Sequence, residues 1–235
     1  MSNSLTISGS SHPYNFIPAN IKYVYDFSTN DTIEGGAGSA STYLHHNTTW
    51  LGTGGHGHNK IYAEGKDTIF AGNGALTVVG GSQALLFIGG RGPAHVDLGS
   101  GSASLFGSIG PVSVDGGSGT VTFDDKVSKG HDFFKTGTGQ AQVTLGGGSA
   151  TVEGGTGAST VTAGTGHDIF EFVASHSGGS EIIKDFNPHK DKIEFSGHFT
   201  SIVEKMAVGG LEITLKDGTK ITHITLSGYD HDVKL

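Results

Sequence analysis

Large apolar residues recur every nine positions through the middle of this chain. From Ile69, steps of nine land on Val78, Phe87, Val96, Leu105, Val114 and Phe123. An eleven-residue step across Asp124–Gly130 then resumes the register at Phe134, which continues through Val143, Val152, Val161 and Phe170. Glycine usually stands six residues before each anchor, as at Gly72, Gly90 and Gly164, and again four residues before it, as at Gly74, Gly92 and Gly166. Between the glycine pairs, segments such as Leu76-Thr77-Val78-Val79 and Thr160-Val161-Thr162-Ala163 alternate as short strands do. Paired glycines supply tight turns and let one backbone lie close on another. The pattern predicts an all-β chain in which two nine-residue repeats, about eighteen residues, close one coil of a parallel solenoid.

Composition sharpens this. With 41 glycines against 5 prolines in 235 residues the chain departs from ordinary globular usage, yet 13 Phe and 6 Tyr among regular aliphatic clusters speak against disorder. A net charge of −8, with Arg91 the single arginine, argues against nucleic acid and anionic membranes as partners. The chain contains no Cys, which excludes disulfides and thiolate metal sites. No apolar run approaches the ~18 residues of a membrane helix, so no transmembrane segment is expected. The start, Met1 to Gly9, has neither the basic region nor the apolar region of an N-terminal signal peptide.

The repeats, best seen in Gly164-Thr-Gly-His-Asp168-Ile-Phe170 and in 154–161, resemble the hemolysin-type nonapeptide of the RTX family. That resemblance implies a right-handed parallel β-roll or β-solenoid, with turn Asp residues binding calcium between coils. It covers roughly residues 60–172. The family's Asp sits two residues before the anchor, where this chain has Asp67, Asp132 and Asp168 but otherwise Leu76, Leu85, Ala94, Ala103, Val112, Val121, Ala141, Ala150 and Ser159. Calcium wants six to eight oxygens, which Leu, Val and Ala cannot supply. These replacements instead put a second apolar side chain on the anchor's face, so a dry solenoid that folds with little metal is expected. Asp67 and Asp132 also suit plain turn capping.

The stretch 168–196, from Asp168-Ile-Phe through Ile183-Lys-Asp185-Phe to Asp191-Lys-Ile-Glu-Phe, resembles the closing segment of RTX and serralysin-type domains. The resemblance adds Asp185 and Asp191 to Asp168 as candidate calcium or cap residues. Beyond it, two alternating stretches joined at Asp217-Gly218 predict a β-hairpin cap. The tail 230–235 is acidic and then apolar, as are the C-terminal export signals of such chains. The expected organisation is therefore an N-terminal, histidine-rich cap with irregular first coils (1–60), the nonapeptide solenoid (61–172), and a C-terminal cap, hairpin and secretion signal (173–235).

Residues 43–58 hold His45, His46, His56 and His58 beside Trp50. Stacked coils that brought these imidazoles together would suit zinc or another transition metal; otherwise they fill variable turn positions, as His131 and His167 do. His95, Asp97 and Asp115 are weak catalytic candidates, since the two Asp are eighteen residues apart. Three function classes follow. A secreted, non-catalytic structural or adhesive protein, exported by type I machinery to the cell surface or matrix and able to self-associate, needs only the features above. A carbohydrate-active enzyme (lyase, hydrolase or epimerase) on an extracellular polysaccharide needs paired carboxylates or a base with a cation. The third class is a metal- or glycan-binding module.

Overall fold

A computed structural model of the protein describes residues 3–9, 14–52, 57–107 and 109–229. It is an all-β, parallel β-solenoid that divides into two compact units, Met1–Val114 and Asp115–Leu235.

In the first unit, Ser4–Ile7, Tyr23–Asp26, Ser41–Leu44, Asn59–Ala63, Leu76–Gly80 and Ala94–Asp97 pair parallel in one sheet. Tyr14–Phe16, Thr32–Gly35, Thr49–Gly52, Asp67–Phe70, Leu85–Ile88 and Ala103–Phe106 pair parallel in a second. The chain alternates between the two sheets, so one strand from each makes one coil. Leu76 pairs with Ala94 and Leu85 with Ala103, the eighteen-residue coil expected.

The nine-residue anchors all point inward. Ile69, Val78, Phe87 and Val96 are completely buried, each worth about 1.5–3 kcal/mol of burial. The position two residues earlier also points inward, so Leu76, Leu85, Ala94 and Ala103 are core residues, and the second apolar layer expected from the lost Asp positions is present.

The described residues between 4 and 52 continue the solenoid. They contribute coils to the same two sheets, with Val24, Ile33, Thr42 and Trp50 buried inside. Trp50 fits because its neighbours lack side chains: a Cβ at Gly35 would lie 2.7 Å from its Cζ2, and one at Gly52 2.9 Å from its Cζ3. Outside, the rings of Tyr25, Tyr43 and Tyr62 stack on successive rungs with centroids 5.1 and 4.5 Å apart.

The second unit repeats the plan. His131–Lys135, Ser149–Glu153, Ile169–Val173 and Lys192–Ser196 form one parallel sheet. Val121–Asp124, Ala141–Thr144, Ala158–Thr162 and Ser180–Lys184 form the other. The insertion 124–130 loops out at a turn, so Val121 pairs with Ala141 and the strands keep their facing. Phe123 and Phe134 stack across the core at 5.3 Å.

The predicted hairpin is present. Lys220–Ser227 adds parallel to Ser180–Lys184 and turns back on Gly210–Asp217, with Gly218 at φ +60°. A further strand that sequence patterning did not reveal, Ser201–Ala207, extends it antiparallel. The hairpin thus continues the second sheet and covers strand edge that would otherwise stand open.

Consecutive coils touch most closely at the glycine turns. A Cβ at Gly157 would lie 1.8 Å from the carbonyl oxygen of Gly139, whereas at Gly147 the nearest atom is Thr165 Oγ1 at 3.6 Å. Gly157→Ala is therefore expected to lower the thermal midpoint by several degrees, a loss of about 2 kcal/mol or more. Gly147→Ala should leave it within a degree or so. Paired melting curves check this.

Candidate functional site

Four of the residues singled out in the sequence, Asp67, Asp132, Asp168 and Asp191, lie inside the coils. Asp67 and Asp168 are buried and make the same pair of contacts. Asp67 Oδ1 accepts the backbone N–H of Thr48, one coil back, at 2.9 Å, and Oδ2 accepts that of Gly65 in its own turn at 3.0 Å. Asp168 Oδ1 accepts from Ala150 N and Oδ2 from Gly164 N, both at 3.0 Å. Asp191 repeats the arrangement one coil on, taking Asp168 N–H at 3.0 Å and Asn187 N–H at 2.8 Å. In the first unit Asn59 makes the backward contact with an amide oxygen, accepting Ala40 N–H at 3.1 Å. Asp67, Asp168 and Asp191 are thus clamps: one oxygen holds the previous coil and the other closes the residue's own turn.

Asp132 occupies the same inward position and accepts a short hydrogen bond from Ser128 Oγ. Asp125, contributed by the insertion, lies buried against it with Oδ1 lacking a hydrogen-bond partner among the described residues. Glu181 stands opposite Ser159 in register, completely enclosed, and its Oε1 likewise lacks a partner. Asp26 caps Ser28 N–H at 3.0 Å and accepts from Thr48 Oγ1 at 2.7 Å. The sequence reading missed Asp26, Asp125 and Glu181 because none stands two residues before an anchor of the nine-residue register.

Burial dominates the titration of these groups. It raises Asp67 to about 7, although two N–H donors pull the other way. It raises Asp125 to about 8, with the Asp132 carboxyl beside it adding to the rise. Glu181 goes to about 7 from burial, which the Ser159 hydroxyl offsets only in part, and Asp168 is also raised by burial.

The remaining candidates are dispersed. Asp185 is exposed, in a left-handed turn at φ +57°. His45 stacks on Phe27 at 4.7 Å and its Nδ1 lies 2.7 Å from Glu64 Oε2. His46 follows it in the same turn. His58 lies at the other end of the neighbouring strand, its N–H on Ser39 Oγ at 2.9 Å. The strand Ser41–Leu44 therefore separates His45 and His46 from His58; His56 lies outside the described residues. His95 and Asp97 face outward on the first unit, and Asp115 opens the second. Among the described residues no three His, Asp or Glu converge where a metal ion could sit. The oxygens of Asp67, Asp168 and Asp191 meet backbone N–H donors instead of gathering the six to eight oxygens of a calcium cage, so the surroundings of these three fit a backbone clamp.

One cleft overlies this region. It measures about 370 Å³ and lies above Asp132 and Asp168, with His131, His167, Lys190 and Lys192 on its walls. His167 Nδ1 donates to the carbonyl of Lys190 at 3.1 Å, and Lys190 Nζ donates to the carbonyl of Thr165 at 3.1 Å. Compared with protein families, curated proteins and solved structures, the chain has no match.

The buried carboxylates make stability depend on pH. Their folded-state values lie above the unfolded ones, so their contribution is full below the ordinary range near 4 and is lost as pH rises through about 7 to 8. The thermal midpoint is expected to fall between pH 5 and pH 9. Moving a carboxyl from 4.5 to about 7 corresponds to roughly 3 kcal/mol, so Glu181→Gln should stabilise the protein at pH 9 by up to about that amount and flatten the profile. Calorimetry across pH on both proteins measures it. Separately, Asp168→Asn places an N–H₂ against an N–H donor, and a loss of about 1–3 kcal/mol at pH 6 is expected in denaturant titration.

Proposed function

We propose that this chain is a secreted, non-catalytic structural or adhesive protein of RTX-like character, exported by a C-terminal signal and acting at the cell surface or in an extracellular matrix. The observation that carries the reading is the clamp. Inward carboxylates at Asp67, Asp168 and Asp191 bind backbone N–H groups across coils, and the equivalent positions from Leu76 to Val121 are apolar. Acidic side chains that would otherwise be the natural place for chemistry are thereby committed to holding the coils together. The outer faces carry short polar residues and the tyrosine stack, a surface suited to contact. The export reading rests on the sequence of 168–196 and on the tail 230–235, which lies outside the described residues.

Two measurements test the proposal. Chelator-treated protein should keep its strand signal and a cooperative thermal transition, and added calcium should move the midpoint by no more than about 4 °C, the equivalent of about 1 kcal/mol at this size. Full unfolding in chelator, with recovery on adding calcium, would sink the metal-independent scaffold. Co-expression with a type I exporter should place the intact chain in the medium, and a chain ending at 172 should stay inside the cell. Equal export of both would remove the C-terminal signal from the argument.

A further inference from the structure

The cleft above Asp168 is built from two outward columns of the second unit. The residues entering successive strands of its first sheet are His131, Ser149, His167 and Lys190, and two positions on the column reads Phe133, Thr151, Ile169 and Lys192. Four rungs at strand spacing make a groove roughly 14 Å long along the stacking direction. In a chain of net charge −8, this is a local concentration of basic groups. The acids beneath it do not cancel them at the surface. Asp168 is buried with both oxygens on backbone N–H groups, and Asp132 is buried with Ser128 Oγ on one oxygen. Burial also favours the neutral form of Asp168. The next outward column is acidic and bounds the groove on one side. There Glu153 is paired with Lys135 at 2.9 Å and His176 at 2.5 Å, and Glu171 accepts Ser196 Oγ at 2.6 Å.

We propose that this groove binds a linear acidic polysaccharide, whose carboxylate or sulfate groups meet Lys190, Lys192, His131 and His167. The assignment deepens the adhesive reading and rests on it for its setting. A repeating anion suits the site because its hydrogen-bonding groups recur at the rung spacing, His131, Ser149, His167 and Lys190 in one column, with Lys192 beside Lys190 on the last rung. Nucleic acid is disfavoured. Its phosphates need clustered Lys and Arg over a longer track, and the chain's overall negative charge repels it.

The test uses the full chain on immobilised polygalacturonate, a heparin-type sulfated glycan and neutral dextran. Retention on one or both acidic glycans, lost at high salt, with none on dextran, is expected; the arm that retains more strongly identifies the anion. Lys192→Glu, an exposed change, should weaken binding about tenfold, or about 1.4 kcal/mol, with an unchanged melting curve. Lys190→Arg with Lys192→Arg should bind as the parent does, and so should Lys205→Glu on a different strand. Equal binding to dextran or to single-stranded DNA, indifference to Lys192→Glu, or no retention on either acidic glycan would overturn the assignment. If such a protein is still exported and folds in chelator, only the groove fails; if export or chelator-stable folding fails while glycan binding persists, the scaffold reading fails and the groove stands.

Discussion

Everything in this fold depends on how closely one coil's backbone lies on the next at the turns. A Cβ at Gly101 would stand 1.8 Å from the carbonyl oxygen of Gln83, eighteen residues earlier, and one at Gly164 would stand 1.9 Å from that of Gly146. At such distances no side chain of any kind is tolerated, and the turn geometry is fixed by contact between main chains. The strands are then held in parallel register, and that register stacks Phe87 on Ile69 and Leu105 on Phe87 inside the core. Backbone contact thus sets the stacking, and apolar burial supplies most of its favourable free energy.

The same closeness explains the inward carboxylates. A turn pressed against its neighbour buries N–H groups that strand pairing does not reach, and a buried unpaired donor costs about 1–3 kcal/mol. Asp at the position before the strand supplies two acceptors in the right direction. Leu76, Leu85 or Ala94 at that position contributes burial instead. The apolar solution fills the unbroken run from Leu76 to Val121, and the carboxylate one stands at Asp67, Asp168 and Asp191. Their difference lies in pH. An apolar rung is indifferent to it, whereas a carboxylate rung weakens as the carboxyl ionises, because desolvation opposes its charge even as the N–H donors favour it.

The anchors from Ile69 to Phe170 were legible because the period is strict there and each anchor is large. The earlier coils were obscured for physical reasons. Their register drifts, with Thr32 pairing Thr49 at seventeen residues and Ser41 pairing Lys60 at nineteen, and one inward position is Thr42. Asp168 was legible from its place two residues before Phe170, but its link to Asp191 was not. The excursion through 174–191 lengthens that coil, so the Asp above it is Asp191, at twenty-three. Glu181 was hidden likewise, standing twenty-two residues from Ser159. The groove had no sequence signature, because its walls come from variable turn positions that only the stacking lines up.

Stacking also decides how charge is displayed. In a solenoid every column is a series of residues one coil apart, so a single kind of side chain recurring in a column becomes a stripe. In the second unit one such column runs Lys135, Glu153, Glu171 and Glu194, and its neighbours hold His167, Lys190 and Lys192. Charges of opposite sign are thereby sorted side by side over a few rungs, although along the sequence they are mixed, as in Lys190-Asp191-Lys192-Ile193-Glu194. Such sorting gives a weakly charged surface a strong local field, and a field that repeats at the rung spacing acts most strongly on a ligand whose own charges repeat. The carboxylates turned inward contribute to this twice: they hold the coils in register, and they keep their own charge off the surface on which the basic groups stand.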